Sequence, residues 1–155
     1  MNSFIETILK KSIIEISAET GLGKTEVITA TEAFSPEILV SIGITGMFQG
    51  YFMIQGTETN VFGLMKKMII ASGLTLEIAD KKEIFTEAFK EFANQMSGRL
   101  IMKLSEDDIN CNITPPTIIS GDNINMELSG LPIYINLKAV FPDEEIHIEI
   151  GIKKS

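Results

Sequence analysis

Four residues between positions 87 and 98 have types and a spacing suited to engaging another molecule: Glu87, Glu91, Asn94 and Gly98, at i, i+4, i+7 and i+11. At 100° per residue they form one stripe along a helix, with Glu91 and Asn94 a single turn apart. A carboxylate accepts hydrogen bonds and attracts a cation, a carboxamide both donates and accepts, and a glycine leaves bare backbone. On the opposite side Phe85, Ala88, Phe89, Phe92, Met96 and Leu100 gather into an apolar face. Polar residues on a surface helix are usually only solvated, so the stripe's composition by itself does not separate a site from a solvent coat.

The elements around this helix set its position. Residues 3–18 carry Phe4, Ile5, Ile8, Leu9, Ser12, Ile13 and Ile16 at helical spacing, closed by Gly21 and Gly23. Thr25–Phe34 is rich in Val, Ile and Thr and predicts a strand. Ile38–Thr45 and Phe48–Gln55 flank Gly46-Met47 as a hairpin, and Gly50 signals a bulge or a close backbone approach. Thr57 and Thr59 open a helix of about 15 residues that ends near Ser72-Gly73. Asp80, with Glu83 three residues on, predicts the N-cap of the stripe-bearing helix, which ends near Leu104. Three β-type segments follow: Ile109–Ile119, Met126–Phe141, interrupted around Gly130-Leu131-Pro132, and Glu145–Ile152, the last two joined through Pro142-Asp143-Glu144. Strands that follow one another through tight turns predict an α+β fold, with a largely antiparallel sheet and helices packed on one face. Residues 1–155 read as a single domain.

Composition removes several function classes. A net charge of −8 repels a phosphate backbone, which argues against nucleic acid. No apolar run approaches the ~18 residues a membrane span needs, and the N-terminal residues do not predict a signal peptide. Cys111 is the only cysteine, so an internal disulfide is impossible and a cytoplasmic setting is expected. His147 is the only histidine, and no Cys/His cluster has metal-ligand spacing.

Other candidate sites have simpler explanations. Ala18–Thr25 satisfies a relaxed phosphate-loop pattern, but a helix leads in and Val27-Ile28-Thr29-Ala30 leads out as a strand, the reverse of what phosphate binding requires. His147 reads as a partly exposed strand residue, and Cys111 as a small apolar one. The eight methionines fit mostly core-facing positions. Asp80, Glu83, Glu87 and Glu91 are interleaved with Lys81, Lys82 and Lys90, a solvated face rather than a cation site. The terminal hairpin Ile133–Ile152 looks like a long apolar sheet edge, from which a homodimer is expected.

The stripe and its surroundings resemble the CheX/CheC family of chemotaxis phosphatases, the CheX branch most closely. Glu87, Glu91, Asn94 and Pro116 occupy the family's signature positions, and Glu91–Gly98, Ile113–Ile119 and Gly43–Gly56 look similar to family segments. Glu87 replaces the commoner Asp or Ser, and the interval to Pro116 is about one residue off. The first helix has no second Glu-x-x-Asn, since Glu6 is followed by Leu9 and Glu15 by Ala18. That is similar to CheX, with one site, and unlike CheC, with two.

The resemblance implies a phosphatase that hydrolyses the phospho-aspartate of a receiver-domain response regulator of the CheY type. Asn94 would position the in-line water, and Glu91 would dock to the regulator's active-site Lys. Glu87 would lie in the partner-binding stripe; Gly98 on the same stripe, by its bare backbone and not by the resemblance, would permit close approach. No cofactor of its own is implied, since Mg2+ belongs to the regulator. CheX-like proteins are similar in the expected homodimer. The alternative is a receiver-binding module on the same fold that hydrolyses nothing, as in the flagellar switch.

Overall fold

The computed structural model describes residues 1–32, 34–74, 82–122, 124 and 126–155. Helix α1 (Asn2–Glu19) leads into strand β1 (Glu26–Thr29) and the hairpin of β2 (Ile38–Gly46) and β3 (Phe48–Gly56). Helices α2 (Glu58–Ala71) and α3 (Lys82–Ser105) follow, then β4 (Cys111–Ile113), β5 (Thr117–Ser120), β6 (Ile133–Val140) and β7 (Glu145–Lys154). The seven strands form one antiparallel sheet in the order β1-β6-β7-β3-β2-β4, with β5 also paired to β2.

Strand register explains the layering. Val40, Ile54, Ile148 and Leu137 are successive cross-strand partners, so one sheet face is a continuous apolar floor. The three helices bury their apolar stripes on it, through Ile5, Leu9 and Ile13 of α1, Val61 and Leu64 of α2, and Phe89, Phe92 and Met96 of α3. Burying each such side chain contributes about 1.5–3 kcal/mol, which holds α3 far more firmly than helix propensity does. The opposite face is half polar, with Ser41, Gln55, His147 and Glu149 buried on it. Leu128 and Leu131 pack there against Leu39 and Met53 in a second, smaller cluster.

Several expectations change. The run Ile109–Ile119 is two strands, because Pro115-Pro116 can supply no ladder N–H groups. The order is therefore helix, three strands, two helices and four strands among the described residues. Only residues 133–140 of Met126–Phe141 form a strand; Leu131 N–H turns back to Leu128 C=O before Pro132, and this stretch covers the sheet instead of joining it. The first predicted strand is likewise shorter, Glu26–Thr29. His147 is buried rather than partly exposed, its ring stacked on Phe34 with centroids 3.9 Å apart. The methionines are mostly inward as expected, five of the eight being buried or half-buried, while Met1, Met47 and Met102 are exposed. The terminal hairpin is not an edge: β7 lies between β6 and β3, and β1 covers β6, so the edge argument for a homodimer fails there. Asp80, the expected N-cap, lies outside the described residues.

Candidate functional site

Helix α3 runs for 24 residues, about 36 Å at 1.5 Å per residue. Its apolar side is fixed in the core, with Phe89, Phe92, Ala93 and Met96 at most 1% exposed. That burial sets the rotation of the helix and turns Glu87, Glu91, Asn94 and Gly98 together toward the surface. Glu87 and Glu91 are exposed, and Asn94 and Gly98 are half-buried. Lys90 Nζ pairs with Glu87 at 3.2 Å, and Gln95 Nε2 donates to Glu91 Oε1 at 3.2 Å. Among the described residues no side chain hydrogen-bonds the Asn94 carboxamide. It is therefore unspent for an external partner. Pro116 is elsewhere, in the β4–β5 connection beside β2.

The stripe adjoins a groove that the sequence did not reveal. Near its start α3 meets α2, where Phe62 packs on Phe85 with centroids 5.4 Å apart and Lys82 pairs with Glu58 at 3.2 Å. Near its end it meets α1, where Arg99 binds Glu15 at 2.8 Å and Glu19 at 2.7 Å, and Lys103 binds Glu15 at 3.1 Å. The C-terminal ends of α1 and α2 meet between these contacts. Gly21 has φ +83° and lies so close to Ala71 that a Cβ there would collide with the Ala71 Cβ. The three-helix junction leaves a groove of about 720 Å³, with Ile16, Met68, Ile69 and Phe92 among its apolar lining. Glu19, Glu91, Gln95 and Arg99 also line it, so Glu91 belongs both to the stripe and to the groove wall.

The charges at this junction hold one another. The Arg99 and Lys103 hydrogen bonds pull the Glu15 carboxyl below its ordinary range, and Glu15 and Glu19 push the Arg99 guanidinium further up. Gln95, Arg99 and Glu19 were not singled out from the sequence. The i, i+4 spacing of Glu91 and Gln95 was the available signal for the first. A junction of three helices distant in sequence offers none.

The other candidates stay apart from this site. Thr20 ends α1, Leu22 N–H bonds Ser17 C=O, and β1 follows, so Ala18–Thr25 is a helix stop and turn. Cys111 is buried in the main core cluster. His147 lies on the half-polar sheet face, where burial and the Lys138 charge hold its imidazole below the usual range against the raising effect of Glu145 and Glu32. Among the described residues no group of three or more His, Cys, Asp or Glu is placed to hold a metal ion, and no helix is long and apolar enough to cross a membrane.

The chain is thus a helical layer on an antiparallel sheet, with a Glu-x-x-Asn pair, Glu91 and Asn94, turned toward the surface of its longest helix. The family model for chemotaxis phosphatase CheX matches residues 38–136, and the chain belongs to that family. It is similar to the CheY-P phosphatase CheX of Thermotoga maritima, 27% identical over 154 residues, which are 99% of this chain and 92% of that protein. The chemotaxis protein CheX of Vibrio vulnificus has the same fold at a TM-score of 0.78 and 16% identity, over 96% of this chain and 99% of its own. A chain of the CheX–CheY–BeF3–Mg2+ complex from Borrelia burgdorferi matches at a TM-score of 0.77 and 18% identity, over 96% of this chain and 97% of its own.

Proposed function

We propose that this chain hydrolyses the phospho-aspartate of a CheY-like receiver domain, acting in the cytoplasm. The observation that carries the reading is the unspent Asn94 carboxamide beside Glu91, on an outward stripe of a CheX-family chain. An acyl phosphate is already activated, so the reaction needs a water placed in line with the breaking P–O bond rather than a strong base. The Asn94 amide has donors and an acceptor with which to hold that water, and adds no negative charge against the phosphoryl group. Glu91 pairs with the receiver's active-site lysine and sets the docking register. The Mg2+ that neutralises the phosphoryl oxygens belongs to the receiver. The length of the stripe along the helix supports docking of a folded domain rather than of a small molecule, and Glu87 extends that surface toward the helix start.

The test is phosphate release from purified, phosphorylated receiver domains. Asn94→Ala is expected to lower turnover by about a hundredfold while binding persists. Glu91→Ala is expected to raise KM roughly tenfold, as for loss of a charge-assisted hydrogen bond. Normal turnover in both variants sinks the assignment. Binding without faster phosphate release would mark a receiver-binding module. The chain is proposed to form a homodimer, and light scattering on wild-type protein reads its presence.

A further inference from the structure

We propose that Met102 is the apolar anchor of the receiver-docking surface, so that the stripe on α3 is charged at one end and apolar at the other. This rests on the receiver-phosphatase reading, because it extends the surface that carries Glu91 and Asn94.

Among the described residues, Met102 is the one large apolar side chain of α3 that is exposed, at 52%. Exposure alone carries nothing, since lone apolar side chains are common on protein surfaces. Its position is what matters. Met102 stands four residues past Gly98 and eleven past Glu91, so at 100° per residue it lies within about 40° of both. At 1.5 Å per residue it is about 17 Å along the axis from Glu91, and an interface patch of about 800 Å² is roughly 30 Å across, so one folded partner covers both. Toward the start of α3 the exposed residues are Lys82, Glu83, Glu87 and Glu91, followed by Gln95; beyond these the surface becomes bare at Gly98 and apolar at Met102. A Cβ at Gly98 would meet nothing within 4 Å, so a partner can settle against the helix there and reach the methionine.

The neighbouring charges do not compete for this end of the stripe. Arg99 is held by Glu15 at 2.8 Å and Glu19 at 2.7 Å, and Lys103 by Glu15 at 3.1 Å, so both cations are satisfied within the chain. The occupant is therefore an apolar patch of the receiver, lying beyond its active-site lysine. An unbranched, polarizable thioether adapts to such a patch without a preformed pocket.

Methionine, leucine and glutamine have nearly equal helix propensity, so Met102→Leu and Met102→Gln alter an exposed side chain without weakening α3. The probe is a CheY-like receiver domain loaded with beryllofluoride and Mg2+. Titration calorimetry at low and high salt gives its affinity for each variant, and thermal melting verifies folding. Met102→Gln is expected to weaken binding roughly tenfold at both salt concentrations, while Met102→Leu stays within about twofold of wild type. Glu91→Ala, by contrast, loses affinity mainly at low salt. In turnover, Met102→Gln should raise KM and leave kcat at saturating receiver unchanged. Folded Met102→Gln protein that binds as wild type, while Glu91→Ala still weakens docking, would overturn the anchor and leave the phosphatase reading standing. Equal losses in Met102→Leu and Met102→Gln would overturn it too, because apolar character would then not be what the receiver reads. If Glu91→Ala and Asn94→Ala also behave as wild type, the phosphatase reading has failed and the anchor fails with it.

Discussion

A Cβ at position 98 would meet nothing within 4 Å, so the fold itself does not require glycine there. Inside a helix, glycine is less favourable than alanine by about 1 kcal/mol. Gly98→Ala should therefore stabilise the protein by roughly that amount in a denaturant titration, and weaken receiver binding if a partner approaches the bare backbone. A variant that is both more stable and fully competent would remove Gly98 from the interface. Gln95 acts through its neighbour: its amide holds the Glu91 carboxylate at 3.2 Å and restricts its rotamers. Gln95→Leu should raise KM and leave kcat intact, with Gln95→Asn failing to restore it because the shorter side chain cannot span one turn. The Glu91–Asn94 pair was legible because helical phase is a local property of the chain. The Gln95 contact had only its i, i+4 spacing as a signal, which allows a side-chain hydrogen bond without fixing the rotamers that make it.

Helix α2 shows how far local chemistry carries. Thr57 was expected to help open it, and its hydroxyl accepts the Asn60 N–H at 3.1 Å. Thr57→Ala should cost about 1 kcal/mol in thermal or chemical unfolding without changing turnover at saturating receiver. A second cap comes from outside the helix, where Glu37 Oε1 accepts the Glu58 N–H at 3.0 Å, and no local rule identifies that partner. Gly50 was expected to mark a bulge or a close backbone approach; the register is regular there, and a Cβ would strike the Gly151 carbonyl oxygen, so the approach is the reason. In Met126–Phe141 the interruption expected around Gly130-Leu131-Pro132 is present, but the residues before it lie over the sheet instead of pairing in it. Alternating apolar residues also suit a segment lying over a sheet, and only the turn before Pro132 separates the two outcomes.

At the scale of the whole molecule, the half-polar sheet face contributes two opposed effects to the pH response. Burial raises the Glu149 carboxyl above its usual range, against the lowering effect of the Tyr134 hydroxyl, which donates to Oε1 at 3.0 Å, and of Gln55. The native state then binds more protons than the unfolded chain from the ordinary carboxylate value upward, so this contribution weakens stability as pH rises through the window. His147 has the opposite sign: its lowered value makes the native state bind fewer protons, so stability is lost as pH falls below the ordinary imidazole range. Glu149→Gln should raise the melting temperature at pH 7–8 and do less near pH 4. Its new N–H₂ also offers a donor to the cross-strand neighbour Asn136, whose buried Oδ1 has no partner. An equal shift at both pH values would show that ionisation of Glu149 is not the cause.

The helices, the antiparallel hairpins, the apolar face of α3 and the phase of its Glu-x-x-Asn stripe were readable from local pattern, because each depends on residues within a few turns or one hairpin of one another. Tertiary structure alone decided that β7 is central rather than marginal, that a loop covers the second sheet face, and that the ends of α1 and α2 meet beside Glu91. Those outcomes depend on contacts between segments far apart in the chain, which local periodicity does not encode.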